Sequence, residues 1–356
     1  MKKIALITNV FEEVNFGSGG ERVFYEFVKK FISDGNIVDL YCTKHKTPKH
    51  LRHLKINELI EIGHPKDYKR AHKIEKTVYK YKQIIDTKNY DEVWAENFVP
   101  YFPNLFIQGH SALRFLQIQP SIFAKLKYFL TRFDHIFAQK RWICDKKISK
   151  LIVPSYFLRN EISQNFGINK EKFEIIRPGI NPVDRREKDF SKLVFGLSAP
   201  SFTKKGGFIF LGALAHLKKT KLDFQAKIIY PKWKRNLALR FFMHLWDLND
   251  CVEFLPSQKN MENFYNSINV IVVPSLIESF AMLATEGMNY SNIPVISNVA
   301  GASELIQDGV NGFVFDMNND ASKNLALKLL DVAICDKRSI AQKAKETADT
   351  LDWSKW

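Results

Sequence analysis

The chain has 356 residues, of which 46% are hydrophobic and 26% charged, so it is too long for one ordinary core and too apolar for a disordered chain. No apolar run approaches the roughly 18 residues that predict a membrane-spanning helix. The cysteines are too scattered for a metal motif or a disulfide framework, which favours a reduced, cytoplasmic setting.

Short apolar runs that predict β-strands alternate with amphipathic segments of helix length, such as 21–33 and 319–334. The predicted strands are KIALITNV, IVDLYC, EVWAE, LFIQ, LIVPS and FEIIR in the first half, and LVFGLS, FQAKIIY, CVEFL, VIVVPS, PVIS and GFVF in the second. This alternation indicates an α/β fold with parallel sheets and crossover helices. Residues 178–192, rich in proline, glycine and charge, indicate a linker between two α/β domains.

The formal net charge of +15 is concentrated in the first half of the chain. Residues 1–180 contain 31 Lys and Arg against 19 Asp and Glu, a balance of +12, whereas residues 181–356 contain 22 against 19, a balance of +3. A basic half of this kind fits nucleic acid, an anionic membrane surface or an acidic substrate.

The segment 121–150 contributes eight basic and two acidic residues to that charge. Its apolar residues at 122, 126, 129, 130, 133 and 137 follow the spacing of a helical stripe. Such a stripe fits a helix that lies in a membrane interface. The more ordinary interpretation is a helix that faces the core and has a basic outer face.

The stretch ESFAMLATE, residues 278–286, follows the predicted buried strand of 270–275 and raises the question of what its two glutamates do. Ser279 is a good N-cap residue, and it predicts a helix from there to about Tyr290. In a strand–loop–helix unit the N-terminus of the helix faces the carboxyl end of the sheet, which is where open α/β sheets bind ligands.

The backbone amides of Phe280, Ala281 and Met282 would then be placed to hold a phosphate. Two carboxylates beside a phosphate should bind hydroxyl groups instead, because a carboxylate accepts their hydrogen bonds. Glu278 on a sugar and Glu286 on a ribose would satisfy this arrangement. The alternative is that both glutamates are ordinary solvated residues.

Residues 274–315, PSLIESFAMLATEGMNYSNIPVISNVAGASELIQDGVNGFVF, strongly resemble the donor-binding segment of the retaining glycosyltransferases of family 4, also called group 1. The family signature is two glutamates separated by seven residues, followed by a stretch like PVIS…GASE…DGVNGFVF. GSGGERVFYEF, VPSYFLRNEI, EIIRPGI and FTKKGG resemble other segments of the family, so a weaker resemblance covers nearly the whole chain. The FTKKG form resembles the branch of lipopolysaccharide-core glucosyltransferases in particular.

The resemblance implies the GT-B fold, in which two Rossmann-like domains face each other across a cleft. Residues 1–180 would be the acceptor-binding domain and residues 181–345 the nucleotide-sugar-binding domain. Residues 346–356 would be the start of a truncated C-terminal crossover helix.

The resemblance also implies a set of site residues. The predicted catalytic residues are Lys205, Glu278 and His110. Lys205 would stabilise the charge that develops on the leaving diphosphate, Glu278 would hold hydroxyls of the donor sugar, and His110 would contact that sugar. The expected donor-binding residues are Gly19, Gly20, Lys204, Ser279, Phe280, Ala281, Met282, Leu283 and Glu286. A lone histidine is more often structural, and Lys204 and Lys205 also fit an ordinary solvated loop.

Gly17, Gly19 and Gly20 lack side chains that would block close approach to a backbone, and Gly20 is the best candidate to lie against a phosphate or the acceptor. A plain glycine turn is the alternative.

Two positions depart from the family pattern. Pro200 lies where most members have an arginine, for which Lys204 would substitute, and Ala281 replaces the usual glycine.

The chain contains no Asp-x-Asp motif, so positive side chains rather than a metal ion should hold the diphosphate. We therefore expect no cofactor and no metal, with a UDP-sugar as the donor.

The predicted function is a retaining, metal-independent hexosyltransferase. It would move a sugar from a nucleotide diphosphate sugar to an anionic glycan or glycolipid in cell-envelope polysaccharide or lipopolysaccharide synthesis. We expect a cytoplasmic protein, with the inner face of the cytoplasmic membrane as a candidate contact, and no nucleic-acid partner. The alternatives are a non-catalytic glycosyltransferase-like partner subunit and a basic nucleic-acid-binding protein, and the second would not explain ESFAMLATE.

Overall fold

The computed structural model describes residues 1–14, 18–119, 121–184 and 187–355, and the chain forms two compact units, Met1–Arg177 and Pro178–Lys355. Short 3₁₀ turns lie at Lys49–Leu51, Pro65–Lys69, Lys170–Lys172, Trp233–Arg235, Gly301–Leu305 and Trp353–Lys355.

The first unit is a parallel sheet covered by helices. Its strands are β1 (Lys3–Phe11), β2 (Ile37–His45), β3 (Glu58–Glu61), β4 (Glu92–Glu96), β5 (Asn104–Phe106), β6 (Lys150–Val153) and β7 (Phe173–Ile175). Its helices are α1 (Gly19–Ser33), α2 (Ala71–Ile85), α3 (Ala112–Gln117), α4 (Ile122–Ile143) and α5 (Tyr156–Phe166). The strand order is β3-β2-β1-β4-β5-β6-β7, with parallel neighbours throughout. The order reverses between β1 and β4, which is where open sheets of this kind bind ligands.

The second unit repeats the plan with six strands. They are β8 (Leu193–Ser198), β9 (Phe224–Ile229), β10 (Val252–Leu255), β11 (Val270–Val273), β12 (Ile293–Ser297) and β13 (Phe313–Phe315). The helices are α6 (Gly207–Lys218), α7 (Leu237–Leu245), α8 (Glu262–Asn266), α9 (Met282–Asn289), α10 (Ala321–Ile334) and α11 (Lys337–Asp349). The order β10-β9-β8-β11-β12-β13 reverses between β8 and β11. The predicted α/β class with two Rossmann-like units is therefore confirmed.

Strand β11 shows why the second sheet forms where it does. All four of its residues are buried, and burial of such a branched side chain stabilises the fold by about 1.5–3 kcal/mol. Helix α9 packs closely on the strand, because a Cβ at Gly287 would lie 2.7 Å from Cγ2 of Ile271. This packing sets the start of α9 beside the carboxyl end of β11.

Helix α4 does not face the core with its apolar stripe, so that interpretation of segment 121–150 is wrong. Ile122 is 78% exposed and Phe123 81% exposed. The other exposed apolar residues of the helix are Leu126, Phe129, Leu130, Phe133 and Phe137. The core contacts come instead from its second half, through Ile136, Ala138, Trp142 and Ile143, because only that part lies on the rest of the unit.

Residues 346–349 belong to the last turn of α11, and the start of a crossover helix within residues 346–356 stays a prediction. Helix α11 begins at Lys337, where Asp336 caps it by accepting from the amide of Ser339, and it ends at Asp349. The following residues are held in an extended course because Ile180 N donates to Leu351 O at 2.7 Å. Only a 3₁₀ turn follows in the described part of the chain.

Candidate functional site

The loop after β8 is fixed by a glycine in a left-handed conformation. Gly206 has φ +72°, and a Cβ there would lie 1.8 Å from the carbonyl oxygen of Pro274, at the end of β11. The amide of Leu276 donates to the carbonyl of Lys204 at 3.0 Å, which ties the same two segments together. The Lys204–Lys205–Gly206 loop therefore lies at the switch point of the second sheet, beside the segment that leads into ESFAMLATE.

Two of the three predicted catalytic residues meet at this edge. Lys205 Nζ forms an ion pair with Oε2 of Glu278, and Ser275 Oγ lies 3.4 Å from the same carboxylate oxygen. The Lys205 and Glu278 side chains are 35% and 20% exposed. Because an ion pair open to water contributes only about 0–1 kcal/mol, a ligand could separate the two groups at little cost.

The predicted start of the following helix is wrong. Ser279 is not the N-cap of α9, which begins at Met282 after Ala281 and has no side-chain cap. The backbone of Glu278 bonds instead to Val299 and Gly301, at 3.2 and 3.0 Å. These cross-links hold residues 278–280 in an extended course, so the helix cannot start there.

The shift changes which amides are available at the helix start. Phe280 O accepts from the amide of Ala302 at 2.6 Å, and its side chain is buried. Ala281 adopts φ +90°, a conformation that disfavours any residue with a Cβ and explains why glycine is usual there. The first-turn amides are those of Met282 and Leu283, two members of the predicted donor-binding set.

Glu286 lies within α9, after the extended segment that contains Glu278. Its Oε2 accepts a hydrogen bond from the hydroxyl of Tyr265 at 2.6 Å. The Tyr265 ring in turn stacks on Tyr290 with centroids 5.2 Å apart. Tyr265 was not predicted as part of the site, and nothing in the spacing of α8 indicated it.

The third predicted catalytic residue belongs to the first unit. His110 follows β5, and its Nδ1 is hydrogen-bonded to Oε2 of Glu161 on α5. The two side chains are 5% and 6% exposed. His110 Nε2 is buried and has no hydrogen-bond partner among the described residues. A buried ring nitrogen without a partner is costly, so this atom is suited to meet a ligand.

Sequence reasoning missed Glu161, although a signal for it exists. Glu161 shares the buried face of α5 with Leu158 and Ile162, and an acid in an apolar stripe usually has a partner. Its other oxygen, Oε1, lies 3.3 Å from the hydroxyl of Ser111. Glu161 therefore fixes the loop that holds His110, as well as the ring itself.

The glycine loop of the first unit opens helix α1. Ser18 caps α1 by accepting from the amide of Glu21 at 3.2 Å, and Gly19 and Gly20 form its first residues. A Cβ at Gly20 would lie 3.5 Å from Oε1 of Gln108, an ordinary contact, so protein packing alone does not require glycine there. Gly17 lies outside the described residues.

A carboxyl group that the sequence did not indicate lies at the switch point of the first sheet. Glu96 ends β4 and accepts hydrogen bonds from the hydroxyl of Thr8 on β1 and from Gln108 Nε2, the latter at 3.1 Å. Burial raises the pKa of Glu96 to about 7. This edge of the sheet therefore holds a carboxyl group that titrates near neutral pH.

Within residues 1–14, 18–119, 121–184 and 187–355, no group of three or more His, Cys, Asp and Glu is arranged to hold a metal ion.

Family models match almost the whole chain in two consecutive parts. The model described as Glycosyltransferase Family 4 matches residues 17–184, and the model described as Glycosyl transferases group 1 matches residues 184–347. An uncharacterized glycosyltransferase of Methanocaldococcus jannaschii is 26% identical over 215 residues. That match takes in 58% of this chain and 56% of the relative, so the chain spans little more than half the length of this curated relative.

Two solved structures are similar over their whole length. WaaG, a glycosyltransferase involved in lipopolysaccharide biosynthesis, superposes with a TM-score of 0.77 and 16% identity, over 98% of this chain and 96% of WaaG. HepE of Anabaena in complex with UDP superposes with a TM-score of 0.68 and 18% identity, over 100% of this chain and 97% of HepE. At these identities the likeness shows the fold. Because the two family models match consecutive parts of the chain in the expected order, the chain belongs to the group 1 glycosyltransferases, which have the GT-B fold.

Proposed function

We propose that the chain is a retaining hexosyltransferase that uses a nucleotide diphosphate sugar, with a UDP-sugar as the first donor to test. The observation that carries this proposal is the Lys205–Glu278 pair at the carboxyl edge of the second sheet, in a loop held by Gly206. It combines one cation for a diphosphate with one carboxylate for sugar hydroxyls. HepE, a structural neighbour, was solved in complex with UDP, which supports the choice of donor.

The donor would bind by replacing the internal ion pair. The leaving diphosphate gains negative charge as the glycosidic bond breaks, and Lys205, Lys204 and the first-turn amides of α9 would stabilise that charge. Glu278 would then accept hydrogen bonds from hydroxyls of the donor sugar, and Glu286 from those of the ribose. His110 would use its free Nε2 to contact the sugar.

In this proposal the transferred sugar keeps its anomeric configuration because the leaving diphosphate acts as the base. Glu278 would serve as a hydrogen-bond acceptor for hydroxyls of the donor sugar and not as a nucleophile. A phosphate oxygen of the leaving diphosphate would take the acceptor proton on the same face of the sugar. No metal ion has a part in these steps, since Lys204 and Lys205 take the charge that a metal would otherwise neutralise.

The acceptor that we propose is an anionic glycan or glycolipid of the cell envelope. The +12 balance of residues 1–180 supports an anionic acceptor. The exposed stripe of α4 supports a membrane contact, since Ile122, Phe123 and Leu126 are each more than half exposed beside basic residues. Among the described residues no helix is long and apolar enough to cross a bilayer, so this contact would be peripheral.

A calorimetric screen of the pure protein against UDP-, GDP- and ADP-sugars tests the donor proposal. We expect one class to bind and to be slowly hydrolysed or transferred, with activity retained in EDTA. Failure of every donor to bind, together with salt-labile binding of nucleic acid, would favour the nucleic-acid alternative. Donor binding without turnover on any cell-envelope acceptor would favour a non-catalytic partner subunit. Loss of activity in EDTA that manganese restores would contradict the metal-free clamp.

Vesicle sedimentation tests the membrane contact separately. Because each basic residue near an anionic surface contributes about 1 kcal/mol, we expect binding to anionic vesicles at low salt and little binding to neutral ones. Replacing Phe123, Leu126 and Leu130 of α4 by serine should lower the salt-resistant part of the binding. Ile334→Ser, at a residue of α10 that is 87% exposed, is the matched control. Equal binding by both variants would contradict the role of α4.

A further inference from the structure

Helix α7 of the second unit has one face in the core and a second apolar face in solvent. Leu239 and Met243 are buried in the core of the unit. Leu237, Phe241 and Leu245 are 75%, 61% and 57% exposed. Because these three are spaced at four-residue intervals, they form one stripe along the helix. The stripe adds nothing to the core, so it is free to contact another molecule.

Basic residues are the neighbours of this stripe in the chain. Residues 231–246 contain four basic residues and no acidic one, whereas residues 181–356 as a whole contain 22 basic and 19 acidic residues. Without that segment the second half of the chain has 18 basic against 19 acidic residues, so its whole positive excess lies around α7. The four basic residues are all exposed: Lys232, Lys234, Arg235 and Arg240.

The internal chemistry of the unit does not explain these charges. None of the four forms an ion pair in the part of the chain that the structure describes, whereas Lys218 pairs with Asp247 and Asp250 at 3.1 and 2.5 Å. Three of them lie just before the start of α7, where the helix macrodipole disfavours positive charge, and the first turn has no acid. Their placement costs helix stability, which points to a partner outside the chain.

The basic segment before α7 is also held in a defined place. Trp233 stacks on Phe254 with ring centroids 5.2 Å apart, and Lys234 Nζ lies 5.7 Å above the Trp233 ring. This segment leads directly into α7, and Arg240 lies within the helix, so we group the charges and the apolar stripe as the α7 face, which comprises residues 232–235, 237, 240, 241 and 245.

We propose that the α7 face binds the anionic surface of a lipid bilayer. Negative headgroups would take the four cations, and the three apolar side chains would enter the boundary between headgroups and acyl chains. A second copy of this chain fits less well, because it would bring a net charge of +15 to a basic face. A nucleic acid would match the charge but leave the apolar stripe in water. The contact lies in the second unit and does not depend on sugar transfer or on α4.

Hydrogen exchange on the full-length protein tests the proposal without any substitution. The protein is incubated with vesicles of equal parts phosphatidylglycerol and phosphatidylcholine, or of phosphatidylcholine alone, with no donor or acceptor present. We expect the amides of residues 237–245 to exchange several-fold more slowly with the anionic vesicles only. The same slowing should persist when Phe123, Leu126 and Leu130 are serine, because α7 then binds without the α4 stripe. Unchanged exchange in 237–245 while other segments are protected overturns the proposal.

Variants separate the two parts of the contact. Replacing Lys234, Arg235 and Arg240 together by glutamine should weaken the partition coefficient about tenfold or more at low salt and little at high salt. Replacing Leu237, Phe241 and Leu245 by serine should weaken it at both salt concentrations, since apolar burial is not screened. The control is Leu327→Ser with Ile334→Ser, two exposed apolar residues of α10 in the same unit.

Two results would overturn the proposal even if vesicles bind. Equal partition of the control and of both α7 variants would exclude the face from the contact. A dimer in light scattering that only the leucine and phenylalanine replacements abolish would assign the face to a second copy of the chain. Thermal unfolding of each variant shows whether its fold is intact, and all the replaced side chains are exposed.

Discussion

Lys205→Ala is expected to weaken donor binding strongly and to change stability little. Lys205 pairs with Glu278, and the two side chains are 35% and 20% exposed. Since an ion pair this open contributes about 0–1 kcal/mol, the free energy of unfolding should fall by less than about 1 kcal/mol. A lysine on a diphosphate makes a charge-assisted hydrogen bond of about 1.5–3 kcal/mol, so the Kd of the nucleotide sugar should rise about tenfold to a hundredfold.

Calorimetry with the donor that binds the wild type measures this effect, and urea unfolding measures the stability. Lys323→Ala is the matched control, because it removes the same charge from an exposed position of α10. Glu278→Gln adds a second signature. It frees Lys205, so UDP alone should bind as well or better, while the complete UDP-sugar should bind more weakly. Equal donor affinity in Lys205→Ala and Lys323→Ala would refute the assignment of the loop to the diphosphate.

Substitutions at four further positions test other parts of the structure. Gly206→Ala should destabilise the protein by about 3 kcal/mol in urea unfolding, because a left-handed alanine is strained and its Cβ would strike backbone; a loss below 1 kcal/mol would contradict the loop geometry. Ala281→Gly should raise the free energy of unfolding by about 0.5–1 kcal/mol by relieving φ +90°, and a decrease would argue against that conformation. Glu161→Leu should lower turnover about tenfold or more with the fold intact by circular dichroism, whereas Glu161→Gln, which still accepts from Nδ1 of His110, should retain most activity; similar losses in both would favour a purely structural role. Glu96 has a pKa raised from 4.5 to about 7, so between these two pH values the native state keeps a proton that the unfolded chain releases, and stability is lost as pH rises toward 7. The free energy of unfolding should therefore fall by about 2 kcal/mol from pH 5 to pH 8 in the wild type relative to Glu96→Gln, and parallel pH profiles would show that the carboxyl is not perturbed.

The order of the elements could be read from the sequence because it depends on local pattern. Runs such as KIALITNV and VIVVPS became β1 and β11, since short branched apolar segments have to be buried on both sides of a parallel sheet. Strand β3 was missed because it lacks this local pattern. Its residues, ELIE, lie at the sheet edge and are only partly buried, so their apolar signal is weak.

The start of α9 shows where local preference fails. Ser279 is a favourable N-cap by type, yet the backbone bonds of Glu278 and Phe280 to residues 299–302 keep this segment extended. Those partners follow β12, one strand further along the chain. The local sequence of residues 278–286 therefore carries no information about them. The helix therefore begins at Met282, and Ala281 takes a conformation that its own side chain disfavours.

The sequence by itself determined the alternation of strands and helices, the two α/β units, the glycine that the loop of Lys205 requires and the glutamates that follow β11. Each of these depends on residue type and spacing, which are properties of neighbouring positions. Tertiary structure alone decided which side chains bond to each other: Lys205 with Glu278, His110 with Glu161, and Glu286 with Tyr265. It also decided that the stripes of α4 and α7 face solvent. A helical stripe states only that one face is apolar, and whether that face is covered depends on elements that pack against it from far along the chain.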